Sequence, residues 1–219
     1  MIFQDRTEAG QQLAGALQDL RGKNTIVLAV PRGGVVVAYE VARALDAPLD
    51  VYIARKLGAP GNEELALGAV ASDGTVVLDA ALMRQIGVSQ RYIESEMDRQ
   101  RAEILRRLSL YRNLAPLPQL KGKTVIVVDD GVATGSTTLA ALRALRKQSP
   151  GTLVLAVPVG PADVIERLKT EADRVVCLYT PDSFFAVGHF FADWSQLRDQ
   201  DVSDILARRR SELETPKKP

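Results

Sequence analysis

Aromatic residues make up only 5% of this 219-residue chain, and cysteine and histidine occur once each. A single cysteine excludes an internal disulfide and any zinc site built from thiolates. Cys177 sits in the apolar run Arg174-Val-Val-Cys-Leu-Tyr179, where a small buried residue is the simplest reading. As a nucleophile it would need the lone histidine, His189, at its side. No stretch approaches the ~18 apolar residues of a membrane-spanning helix. The opening MIFQDRTEAG lacks a basic start followed by an apolar run, so no signal peptide is read and a cytoplasmic location is expected. An excess of one charge is also missing: 28 Lys+Arg against 27 Asp+Glu leave +1. A dedicated DNA binder would show a basic surplus, so DNA is not expected as a partner.

What is present is globular. The chain is 46% hydrophobic and 25% charged, which excludes a disordered polymer, and its length allows one domain with a real core. Leu13, Leu17 and Leu20 recur at helical spacing, predicting a helix over residues 6–20. Residues 25–30 form a short run apolar on both faces, ended by Pro31-Arg-Gly-Gly34, as in a buried parallel strand. A helix over 35–45 and a strand over 49–54 follow. Residues 55–75 hold five glycines and prolines (Gly58, Pro60, Gly61, Gly68, Gly74) and read as loop-rich, with a candidate strand at 65–71 and an edge strand at 75–78. Residues 89–111 are strongly charged, with a narrow apolar stripe that fits a long surface helix. From 124 onward the rhythm is clear: strand 124–128, helix 135–147, strand 152–158, helix 161–169, strand 174–179. Such alternation implies an α/β fold, an open and mostly parallel sheet with helices on both faces. The last five residues, TPKKP, read as a frayed tail.

Ligands of open parallel sheets bind at the carboxyl ends of the strands, and two such ends are chemically loaded. In Val125-Ile-Val-Val-Asp-Asp-Gly-Val-Ala-Thr-Gly-Ser-Thr137, an apolar strand delivers Asp129 and Asp130 to its end. The small-residue loop Ala133, Thr134, Gly135, Ser136, Thr137 then opens a helix whose free amides make an anion cradle for a phosphate. The carboxylates suit the neighbouring hydroxyls of a sugar, or a divalent cation. Gly122-Lys-Thr124 mimics the end of a P-loop but precedes its strand and has Leu117 where the first glycine belongs, so it is rejected.

Residues 125–137 resemble the signature of the type I phosphoribosyltransferases, which use 5-phospho-α-D-ribosyl 1-diphosphate (PRPP). Gly131 departs from it, standing where the family usually has an aliphatic residue. Arg55-Lys-Leu-Gly-Ala-Pro-Gly-Asn62 and Phe184-Phe-Ala-Val-Gly188 are similar to a bacterial branch of that family with no assigned substrate. The resemblance implies a core over 1–180 with a loop-rich and helical insertion at about 55–118, a C-terminal hood over 181–210 and a tail over 211–219. It implies Asp129 and Asp130 on the ribose hydroxyls, and on Mg²⁺ indirectly through PRPP and water. Ala133 to Thr137 would hold the 5′-phosphate, and Arg32, Gly33, Gly34 and Lys56 the diphosphate. Asp129, Asp130 and Lys56 would serve catalysis. The run 57–74 falls where the family keeps a mobile catalytic loop. Six rings cluster late in the chain (Tyr179, Phe184, Phe185, Phe190, Phe191, Trp194), and of these Phe190 and Trp194 are the candidates to stack on a nucleobase-like acceptor. His189, among them, reads as an ordinary polar residue rather than a base. Transfer of ribose 5-phosphate to a nitrogen acceptor is the activity implied, a homodimer the assembly, and a PRPP- or nucleotide-sensing regulator without turnover the rival.

Overall fold

The computed structural model describes residues 3–214. The Asp5 carboxylate accepts the Glu8 amide at 2.8 Å and starts α1 (Arg6–Gly15). That helix stops short of the predicted 20, and a separate 3-10 turn covers Gln18–Leu20. Then come β1 (Thr25–Ala29), α2 (Gly34–Leu45), β2 (Leu49–Val51), β3 (Ala54–Ala59), β4 (Asn62–Ala71), β5 (Val76–Leu78), α3 (Ala80–Gln85) and α4 (Gln90–Arg112). The second half alternates as predicted: β6 (Thr124–Val128), α5 (Ser136–Lys147), β7 (Thr152–Val159), α6 (Ala162–Leu168), β8 (Arg174–Tyr179) and finally α7 (Asp199–Glu214). Of the tail read over 211–219, residues 211–214 are instead the last turn of α7, and 215–219 lie outside the described residues.

Five strands form one parallel sheet in the order β2-β1-β6-β7-β8. β1 and β6, at its centre, are buried at every position, because helices cover both faces. Alternate residues sort into two layers. Val27, Ala29, Ile126 and Val128 pack with α1 and α2, while Ile26, Leu28, Val125 and Val127 pack with α5 and α6.

Two expectations need correcting. The strand read over 49–54 is two strands: the chain leaves the parallel sheet after Val51, and Ala54 opens a separate antiparallel sheet ordered β3-β4-β5. Both sheets bury the connecting residues Tyr52 and Ile53, so the apolar run continues through a change of partner. The loop-rich reading of 55–75 also fails. Gly61 and Gly74 do occupy turns at φ +72° and +84°, but Gly58 and Gly68 are strand contacts. A Cβ on Gly58 would lie 2.8 Å from Glu63 Cα, and one on Gly68 only 2.1 Å from the Val77 carbonyl oxygen. These glycines mark close backbone approach, not a loop.

The N-terminal segment joins the C-terminal one. The Phe3 amide donates to the Phe190 carbonyl at 2.8 Å, and the Ala192 and Asp193 amides donate to Phe3 and Gln4 at 2.8 Å each. α1 reaches the sheet by crossing α2 closely at Gly10, where a Cβ would meet the Val37 carbonyl oxygen at 2.8 Å and Glu40 Cβ at 2.9 Å. Gly10→Val is therefore expected to destabilise the fold by about 2 kcal/mol through overpacking; an unchanged urea midpoint would mean that this crossing relaxes freely.

Candidate functional site

From β1 the chain turns to β2 on one side, while β6, β7 and β8 extend on the other. The reversal leaves a crevice between the carboxyl ends of β1 and β6, the place where open α/β sheets bind ligands. The two chemically loaded segments form its lips. Pro31-Arg-Gly-Gly34 follows β1, with a cis peptide bond between Pro31 and Arg32, and Asp129-Asp130 follows β6.

The lips touch. A Cβ on Gly33 would fall 1.6 Å from Asp130 Oδ2, and one on Gly34 2.8 Å from Asp129 Cα. The glycine pair, expected to expose amides to a diphosphate, also makes room for the acidic pair. The Asp130 amide donates to Asp129 Oδ1 at 2.8 Å. Arg6 Nε donates to Asp130 Oδ2 at 2.7 Å. Burial pushes the Asp129 carboxyl well above the usual range, and repulsion from Asp130 adds to it. Burial likewise raises Asp130, although the Arg6 cation pulls it back.

Beyond the acidic pair, Gly135 takes φ +75° and caps α5. The first backbone bond of that helix runs from Leu139 to Gly135 at 2.8 Å. The amides of Ser136, Thr137 and Thr138 therefore lie in the first turn, where a helix has no acceptor of its own. A Cβ on Gly135 would press on Val164 at 2.8 Å. Arg167 donates to the Thr134 carbonyl, and the Thr134 and Ser136 hydroxyls lie 3.4 Å apart. Gly131 has a local explanation as well. Its missing Cβ would sit 2.5 Å from Val187 Cγ1, so a valine from the C-terminal segment fills the space of an aliphatic residue at 131.

A cleft of about 420 Å³ joins these parts. It is lined by Arg32 and Gly33, by Asp129 through Thr138, and by Arg55 and Lys56 of β3. Arg55 and Lys56 thus reach the crevice, from the antiparallel sheet rather than from the end of a second parallel strand. Its far wall comes from α4, which its charge pattern marks as a solvated surface: Glu96, Arg99, Gln100 and Arg107 all face the cleft. Arg55 Nε donates to Gln100 at 2.9 Å, and burial, then the nearby Arg107, pushes the Arg55 guanidinium down. Arg107 is held by Glu103 at 2.7 Å and Arg99 by Glu96 at 2.8 Å. The signal for these residues lies in the acid–base pairs at helical spacing beside the apolar stripe. Arg6 carries no local signal at all.

The C-terminal rings are placed differently from the expectation. Phe190 stacks on Phe184 at 5.3 Å and meets Tyr179 edge-on at 5.9 Å, inside a small core with Phe3 and Phe191; it does not line the cleft. Apolar area is scarce in this segment, and the rings satisfy one another. Trp194 lies under the Arg6 guanidinium, 3.6 Å from its ring centroid, and borders an adjoining cavity of about 240 Å³ with Arg6, Arg32 and Asp130. His189 is exposed beside Phe185. Cys177, half-buried, donates to the Tyr179 carbonyl at 3.3 Å.

Residues 6–190 match the phosphoribosyl transferase domain. The chain belongs to the phosphoribosyl transferase family. Two Mycobacterium tuberculosis proteins, from strains CDC 1551 / Oshkosh and H37Rv, are provisionally named phosphoribosyl transferases and are 44% identical to it over 207 residues. The match covers 94% of this chain and 47% of theirs, so the chain spans about half the length of these relatives. The crystal structure of TT1426 from Thermus thermophilus superposes with a TM-score of 0.80 at 46% identity, covering 95% of this chain and 99% of that one.

The acidic pair gives this phosphoribosyl transferase domain a measurable signature. Folding raises the Asp129 pKa, so the folded state holds that proton more tightly than the unfolded one. Ionised Asp129 therefore costs stability, and the cost grows as pH rises from about 4. In EDTA and without ligand, Asp129→Asn is expected to raise stability by about 1 kcal/mol at pH 7, with the gain fading below about pH 4. Equal unfolding midpoints at pH 7 would contradict this.

Proposed function

We propose that this chain transfers ribose 5-phosphate from PRPP to a nucleobase-like nitrogen acceptor and releases diphosphate. One observation carries the reading: two adjacent carboxylates stand at the sheet's switch point, between the free amides of α5 and the Gly33–Gly34 loop with its surrounding cations. The order of groups along the cleft, helix amides, then carboxylates, then cations, supports a ligand that carries a phosphate, a sugar and a diphosphate in that order.

In this reading the amides and hydroxyls of Ala133 to Thr137 take the 5′-phosphate. Asp129 and Asp130 accept hydrogen bonds from the ribose hydroxyls. Arg32, the amides of Gly33 and Gly34, and Lys56 take the diphosphate, and Arg55, Arg99 and Arg107 add positive potential behind it. The C1–O bond breaks and its electron pair leaves with the diphosphate. The acceptor nitrogen donates its lone pair to C1 and later gives its proton to solvent. Between those events C1 carries positive charge, which the carboxylates stabilise while the cations hold the leaving group. Among the described residues no cluster of three or more His, Cys, Asp or Glu side chains could hold a metal. The donors present fit Mg²⁺ only as a shared ion, with Asp129 and Asp130 completed by PRPP oxygens and water. When bound, that ion neutralises charge on the diphosphate.

The test is a panel of purine, pyrimidine and non-base amine acceptors with Mg²⁺ and PRPP, followed by diphosphate release, beside calorimetric PRPP binding. Release with at least one acceptor is expected. Binding without release from any acceptor would favour a sensor, release without an acceptor a hydrolase, and no binding would end the proposal. Asp130→Asn is expected to weaken PRPP binding by about tenfold to a hundredfold, and wild-type affinity and turnover would refute the ribose assignment. Gly135→Val should abolish 5′-phosphate binding, since it loses both the left-handed backbone and the space beside Val164.

A further inference from the structure

We infer that Arg6 is a positioning residue for Asp130, and that the C-terminal segment at Trp194 acts on the ribose site through it. The inference rests on the proposed use of PRPP. Arg6 and Asp130 are 124 residues apart in sequence, yet their side chains are only 10% and 14% exposed and meet at 2.7 Å. Asp130 has two carboxylate oxygens. Oδ2 is occupied by Arg6 Nε and lies against the bare face of Gly33, so a ligand in the cleft that Asp130 lines meets the carboxylate at its other side, next to the Asp129 carboxyl. Turning the carboxylate away would break a part-buried charge-assisted bond. Arg6 thereby fixes the orientation in which the carboxylate meets the sugar.

Arg6 is itself held at three points. Nε bonds Asp130, Nη1 donates to the Ser195 carbonyl at 3.0 Å, and the guanidinium plane lies on the Trp194 ring. A planar fork that stacks and bonds at the same time is what arginine provides and lysine does not. The pairing of residues 3–4 with 190–193 places the start of α1 over Trp194, so both contacts are built into the fold. Arg6 lines the cavity of about 240 Å³ beside Trp194, and Arg32, Gly33 and Asp130 border both that cavity and the main cleft.

Trp194 is the only tryptophan, so its fluorescence reports on this contact directly. Titrating Mg²⁺ and PRPP into the full chain is expected to change Trp194 emission with the midpoint that calorimetry gives. Arg6→Gln should weaken PRPP binding about tenfold and abolish the emission change, with Arg6→Lys recovering part of the affinity. Trp194→Leu should weaken binding about threefold, and Arg6→Gln/Trp194→Leu should be no weaker than Arg6→Gln alone. Wild-type affinity in Arg6→Gln overturns the inference, as do penalties that add in the double variant, because Trp194 would then act without Arg6. If Arg6→Gln does not fold, Arg6→Lys and Trp194→Leu decide: wild-type affinity in both overturns it. If the wild type binds no PRPP, the proposed function falls and the relay is read without ligand. Asp130→Asn must then alter Trp194 emission through Arg6, and an unchanged spectrum overturns the inference.

Discussion

Backbone touching carboxylate at Gly33 and Gly34 is the contact on which the rest of the site depends. Without a Cβ on either residue, the turn after β1 can lie against the end of β6. The acidic pair is thereby held half-buried, one oxygen is turned toward Arg6, and the remaining surface becomes the floor of the cleft. The cost is electrostatic: two neighbouring carboxylates lose water, and only one gains a cation in direct contact. Binding sites tolerate such costs because a ligand's hydroxyls or a shared cation later offset them.

Much of this is legible in the sequence where the signal is local. The apolar runs of β1 and β6, the acidic pair and the Ala133–Thr137 loop are contiguous words, and each places its chemistry by one short turn. Lys56 reaches the cleft although its strand belongs to the other sheet, because the chain has to pass that edge to build β3. The antiparallel sheet is illegible for a physical reason. Glycine signals both conformational freedom and close approach, and at Gly58 and Gly68 the second meaning applies. Arg6 belongs to a third kind. Its partner lies on the far side of the chain in sequence, so only the tertiary fold makes it a site residue.

The aromatic residues show how few rings a fold of this size can spare. Phe190, Phe184 and Tyr179 pack on one another, and Phe3 with Phe191 closes the joint between the N-terminal segment and residues 190–193. Trp194 alone leans toward the chemistry, with its face covered by a cation. The cleft is consequently a polar and charged space, walled by guanidinium groups from β3 and α4 instead of by rings.

Gly131 and Val187 share one volume, since the side chain missing from the first is supplied by the second, 56 positions later. The two positions are therefore a single unit of variation. An aliphatic residue at 131 would need both a smaller one at 187 and a different backbone, because Gly131 holds φ +157° where the C-terminal segment closes over the strand end. In this chain the volume beside the strand end is filled from position 187 and not from 131.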